Sequence, residues 1–164
     1  MSAIVLVGMP GAGKSTVGVL LAKELAMDFL DTDLLIQSET GKALQEIVDS
    51  RGYEQLREIE ESVILRQKFA KVVVATGGSA VYGQASMRKL KESGKVVYLS
   101  CQINELRDRI GNFERRGIAA SPNQSFAEIT AEREVLYRQY ADIEVSTDGL
   151  KPLQVVEKLI QTLV

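Results

Sequence analysis

Gly8-Met9-Pro10-Gly11-Ala12-Gly13-Lys14-Ser15-Thr16 follows directly on the apolar run Ala3-Ile4-Val5-Leu6-Val7. It runs into Val17, Leu20, Leu21 and Leu25, which recur on a helical period. The stretch matches G-x-x-x-x-G-K-[ST], with Gly8, Gly13, Lys14 and Ser15 at the four defining places. A polyphosphate needs a cradle of backbone N–H groups, and glycines let the main chain curl around it with no Cβ in the way. Gly11, Ala12, Gly13, Lys14, Ser15 and Thr16 are therefore the expected nucleotide contacts. Lys14 brings a mobile positive charge to the β and γ phosphates, and the Ser15 hydroxyl is the expected ligand to the accompanying Mg2+. A helix opening at this point would aim its dipole at the anion. Strand, loop and helix in that order separate a nucleotide site from a glycine-rich turn.

At 164 residues the chain is long enough for one domain with a sizeable core. Its net charge of -2 provides no global basic field, so nucleic acid is not an expected partner. The one cysteine, Cys101, follows a strand-like run and reads as a buried thiol with no internal disulfide partner. A core strand beginning at the third residue leaves no room for a leader, and no apolar run approaches membrane-spanning length. A cytoplasmic monomer acting on small molecules, with no membrane partner, is expected. Histidine is absent, so any general base must be a carboxylate.

Further β-rich runs at Phe29 to Asp31, Val72 to Ala75, Val96 to Leu99 and Ile143 to Val145 alternate with helical patterns. That alternation predicts a doubly wound α/β fold on a five-stranded parallel sheet, with ligands beyond the carboxyl ends of the strands. Two segments exceed what a crossover needs. The stretch at about 34–69 carries two helical patterns broken near Ser50-Arg51-Gly52, and is expected to be an inserted subdomain. The stretch at about 111–125, GNFERRGIAASPNQS, with two glycines, a proline and Arg115-Arg116, is expected to be a lid.

Asp31 and Asp33 close the second strand with one residue between them, which in extended chain puts both on one side. One carboxylate then serves Mg2+ and the other accepts the proton of an attacking hydroxyl; the bland alternative has Asp33 capping a helix from Leu34. Thr76-Gly77-Gly78-Ser79 after the third strand reads equally as a substrate approach or a plain turn. Arginines in the two long segments suit an anionic substrate or the transferring phosphoryl group.

Taken in order, the phosphate loop, Asp31-x-Asp33, Leu56-Arg57-x-x-Glu60, Gly77-Gly78, the arginine-bearing segment and Arg133-x-x-Leu136-Tyr137 resemble shikimate kinase across the whole chain. The resemblance implies a nucleoside-monophosphate-kinase-like P-loop fold with a substrate-binding subdomain and a lid. It implies ATP-dependent phosphorylation of the 3-hydroxyl of shikimate, with Lys14 and Ser15 serving ATP and Mg2+ and Asp31 helping to hold the metal. By the same resemblance Asp33 would bind the shikimate hydroxyls and act as base. Arg57, Gly77, Gly78 and Arg133 would contact shikimate, the two arginines at its carboxylate. Arg116, with Arg115 as its close rival, would approach the phosphates, and Arg109 would lie against adenine. The chain departs from the family pattern at Ser79, where a third glycine is usual, at Leu56 and at Gly117-Ile118, all on the acceptor or lid side. A gluconate-type or nucleotide kinase of the same architecture, or a nucleotide-binding regulatory module, are the rival readings.

Overall fold

The computed structural model describes residues 2–111 and 118–163. The middle of the expected lid, with Arg115 and Arg116, lies outside the described residues.

Five parallel strands form one sheet in the order β2-β3-β1-β4-β5: β1 Ala3–Val7, β2 Asp28–Asp31, β3 Val72–Ala75, β4 Gly94–Ser100 and β5 Ile143–Ser146. β1 and β3 are unbroken apolar runs, buried at every position. Continuous burial without alternation is what a central strand covered on both faces requires. At the edges, β2 and β5 are only partly buried, and their sequences DFLD and IEVS mix polar with apolar accordingly. Helix α1 Lys14–Leu25 packs on β3 and on the C-terminal helix α8 Pro152–Leu163. Helices α5 Gln84–Ser93 and α7 Phe126–Tyr140 pack against β4. No helix among the described residues is long and apolar enough to cross a membrane.

The stretch between β2 and β3 holds three helices where the sequence periodicity suggests two: α2 Thr32–Thr40, α3 Leu44–Arg51 and α4 Tyr53–Arg66. The expected break falls at Gly52, and a further one falls at Gly41, which ends α2 with a left-handed φ of 67° and an N–H donated to Gln37 O at 2.9 Å. Ile36, Ile47, Leu56, Val63 and Ala119 form a small apolar cluster separate from the main core. The segment therefore has its own packing, and it hangs over the carboxyl ends of β1 and β3.

β2 ends at Asp31, so Asp33 does not close the strand beside it as expected, and Asp33 is not the helix cap of the alternative reading either. α2 starts at Thr32 and its cap is Asp31, whose Oδ1 accepts from the N–H groups of Asp33 at 2.9 Å and Leu34 at 3.2 Å. Asp33 lies inside the first turn, where its charge also suits the helix dipole. At the other end of the lid segment, Ser125 caps α7 in a reciprocal box with Glu128, the Ser-x-x-Glu pattern legible in the sequence.

Candidate active site

Gly13, in the left-handed region at φ 91°, caps α1, so the backbone turns from the loop into the helix and Lys14 becomes its first residue. The Lys14 side chain folds back over the loop. Its Nζ donates to the carbonyls of Gly8 at 2.7 Å and Met9 at 2.9 Å, and the residue is only 8% exposed. Burial lowers its pKa to about 8, against the pull of the Asp33 carboxylate. Lys14 is thus a charge held out of water at some cost, as a group meant to meet an anion should be.

A cleft of about 370 Å³ opens over this loop. Gly11, Gly13, Lys14, Ser15 and Thr16 line one wall, and Asp33, Glu60, Gly77, Gly78 and Arg133 the other. Of the residues expected from sequence, Ala12 is buried within the loop, and Asp31 reaches the cleft through Ser15, whose Oγ donates to Asp31 Oδ2 at 2.5 Å. A hydroxyl and a carboxylate oxygen this close, with the other carboxylate oxygen spent on the helix cap, form a donor set that fits a hard divalent cation. Arg109 also lines the cleft, with Nη1 donating to Gly11 O at 3.3 Å and Nη2 to Thr147 O at 3.2 Å. The side-chain group Cys101, Glu105 and Asp148 lies nearby. Its carboxylates are occupied by Arg109, Gly149 N–H and Gln102 N–H, and burial pushes the Cys101 thiol up to about 11.

Arg133 is 1% exposed. Its Nη2 donates to Ala119 O at 3.1 Å, and its Nε is the one buried side-chain polar atom without a hydrogen-bond partner among the described residues. A buried guanidinium with an unused donor beside a cleft fits an anionic ligand. Arg57 is placed differently: it does not line this cleft. Its Nε donates to the same Ala119 carbonyl at 3.0 Å, and its guanidinium stacks on Tyr82.

Asp33 and Glu60 converge on Gly77. A Cβ there would meet Glu60 Oε2 and Asp33 Oδ1 well inside contact distance, so only glycine lets both carboxylates approach this loop. Burial raises both pKa values, with the Asp31 charge adding to the rise at Asp33 and the Asp33 charge adding to the rise at Glu60. Glu60, flagged in the sequence only as part of a motif, is fully enclosed. Its Oε1 accepts from Ser79 Oγ at 2.9 Å and its Oε2 from Thr32 Oγ1 at 3.3 Å, while Thr32 Oγ1 accepts from Gly77 N–H at 2.9 Å. Glu60 therefore ties α4 to α2 and to the glycine loop after β3. Tyr137, one helical turn beyond Arg133, fixes the same loop from the far side by donating to Gly78 O at 2.6 Å.

The pKa of Glu60 is raised from 4.5 to about 7, so the folded chain holds a proton that the unfolded chain releases between those values. Stability from this group is therefore present at low pH and lost as pH rises towards 7. Glu60→Gln abolishes that linkage, and its melting temperature relative to wild type is expected to improve from pH 5 to pH 7.5. A difference that stays flat in differential scanning calorimetry would mean Glu60 is charged in the fold throughout.

Comparison with known proteins sharpens the geometry. The shikimate kinase family profile matches residues 10–164. The chain is 39% identical over 166 residues to the shikimate kinase of Pseudomonas fluorescens strain Pf0-1, covering 99% of this chain and 96% of that one. The structure of shikimate kinase from Acinetobacter baumannii in complex with shikimate superposes with a TM-score of 0.90 at 31% identity, covering 99% of this chain and 93% of that one. Thymidylate kinase from Candida albicans, at 14% identity and a TM-score of 0.64 over 99% of this chain and 90% of its own, shares the fold alone.

Proposed function

The chain belongs to the shikimate kinase family, and from that premise we propose how its residues divide the transfer of a phosphoryl group from ATP to shikimate. The protein is an ATP-dependent shikimate phosphotransferase of aromatic amino-acid biosynthesis. The observation that carries the assignment of roles is the single cleft lined by Lys14, Asp33 and Arg133, the last a buried guanidinium whose Nε has no partner.

The loop from Gly11 to Thr16 holds the phosphates with its N–H groups. Lys14 exchanges the Gly8 and Met9 carbonyls for phosphate oxygens. Ser15 and Asp31 would hold Mg2+, which neutralises charge on the β and γ oxygens when bound. Arg109 lies along the nucleotide wall and is assigned to adenine, and Arg116 is assigned to the transferring phosphoryl group. On the acceptor side Gly77 and Gly78 admit the ring of shikimate closely, and Arg57 and Arg133 take its carboxylate. Asp33 receives the proton of the 3-hydroxyl, and its raised pKa makes it a stronger base than an ordinary aspartate. Closing of the lid over the cleft would keep water from competing with the acceptor. We further infer a cytoplasmic monomer without nucleic-acid partners, which the net charge of -2 and the unpaired Cys101 support.

An ADP-release assay over shikimate, quinate, gluconate and AMP tests the reading. Shikimate is expected to raise turnover at least ~100-fold above the water-only background, and AMP not at all, because buried polar groups left unpaired by a wrong ligand cost heavily. Equal stimulation by gluconate, or by AMP, would move the acceptor assignment elsewhere.

A further inference from the structure

Arg57 sits outside the cleft, so its guanidinium must be held within reach by its neighbours. Cζ of Arg57 lies 3.7 Å from the centre of the Tyr82 ring and 4.9 Å from that of Tyr53. The same Tyr82 ring faces Arg133, whose Cζ is 5.6 Å away. Tyr82 is itself fastened: its hydroxyl donates to Glu132 Oε1 at 2.6 Å, and Gln124 Nε2 donates to the other oxygen of that carboxylate at 2.9 Å. Neither arginine forms a salt bridge among the described residues. Two guanidinium groups brought to one carbonyl repel each other, and the negative face of an aromatic ring offsets part of that repulsion without consuming their charge. Tyr82 belongs to the short 3-10 turn Ala80–Tyr82 that continues the glycine loop, so one segment carries both the acceptor wall and this ring.

We propose that Tyr82 is a positioning residue for the acceptor carboxylate, its ring and its Glu132-bound hydroxyl keeping Arg57 beside Arg133. The inference rests on the reading of these arginines as the carboxylate pair. It goes beyond that reading by locating what holds the pair: an aromatic face and a shared carbonyl, with the Glu132 carboxylate close enough to act on both arginines yet in a salt bridge with neither. Tyr82 touches no reacting atom; it acts through Arg57.

The test compares wild type with Tyr82→Leu, Tyr82→Phe, Arg57→Ala and the double variant Arg57→Ala/Tyr82→Leu. Shikimate and ATP affinities are measured by calorimetry, and KM and kcat by ADP release. Tyr82→Leu is expected to weaken shikimate binding about tenfold, with the loss carried by KM, while ATP affinity changes less than ~2-fold. Tyr82→Phe keeps the ring and should retain shikimate affinity to within ~3-fold. In the Arg57→Ala background, Tyr82→Leu should add less than ~2-fold, since the contact it removes is already gone. The proposal is overturned if Tyr82→Leu binds shikimate as wild type does, if its cost is undiminished in the Arg57→Ala background, or if ATP affinity falls in parallel. It is overturned equally if Tyr82→Phe loses as much as Tyr82→Leu. Normal shikimate binding by Arg57→Ala alone would instead overturn the underlying carboxylate reading, and is distinguished by that variant.

Discussion

Replacing Lys14 with alanine is expected to lower phosphoryl transfer by at least ~100-fold while leaving the fold no less stable. Both halves follow from the same geometry. The ammonium is preorganised over the phosphate loop by two carbonyls, so its loss removes an electrostatic contact from the site of charge development. The same ammonium is buried and its pKa is depressed to about 8, so at neutral pH the free protein bears a charge that burial disfavours. Alanine leaves two carbonyls to be hydrated from the cleft, and removes that charge. ADP release under saturating ATP and shikimate reads the first effect, and calorimetric melting without ligands reads the second. Turnover within a few-fold of wild type would dismiss Lys14 as the phosphate-binding lysine. A collapsed melting transition would mean that the residue is structural.

The second large effect separates Asp31 from Asp33. Asparagine at position 31 still caps α2 through its side-chain oxygen, because Asn and Asp are nearly equal in that role. What Asp31→Asn loses is the charge beside Ser15. Activity should therefore fall at low Mg2+ and recover partly as Mg2+ is raised, by mass action on a weakened site. Asparagine at position 33 cannot take a proton. Asp33→Asn should lose ~100-fold to ~10,000-fold in kcat, with weakened acceptor binding, at every Mg2+ concentration. The measurement is turnover across a Mg2+ titration with shikimate affinity alongside. Rescue of Asp33→Asn by Mg2+, or loss of acceptor affinity confined to Asp31→Asn, would exchange the two roles.

Much of this site is legible in the chain itself because its chemistry is local. The run from Gly8 to Thr16 encodes loop, helix start and phosphate charge within nine residues, and the all-apolar VVVA and AIVLV runs announce buried central strands. Asp31 and Asp33 are found by spacing, although which of them caps the helix is not. That choice depends on whether the extended backbone ends at residue 31 or 33, a two-residue ambiguity that local sequence does not resolve. Gly41 escapes periodicity for a similar reason, since apolar residues continue on both sides of it. Glu60 is visible only as a motif letter. Its partners Thr32 and Ser79 are brought to it by the strand order, not by spacing. The Ala119 carbonyl that gathers Arg57 and Arg133 is backbone, which carries no side-chain signature at all. The stacking of Arg57 on Tyr82 is hidden too, because a long flexible side chain reaches many places from one Cα.

The strand order has a consequence for how the enzyme is made. β1, which launches the phosphate loop, leaves the ribosome before either of its partners, β3 and β4, which follow about seventy and ninety residues later. During that interval its apolar run has neither neighbour, and closing such long chain loops delays the pairing further. The β1 segment of the nascent chain must therefore stay unpaired without aggregating until β3 and β4 have been synthesised. The nucleotide cradle is thus framed only once strands about seventy and ninety residues downstream have been made.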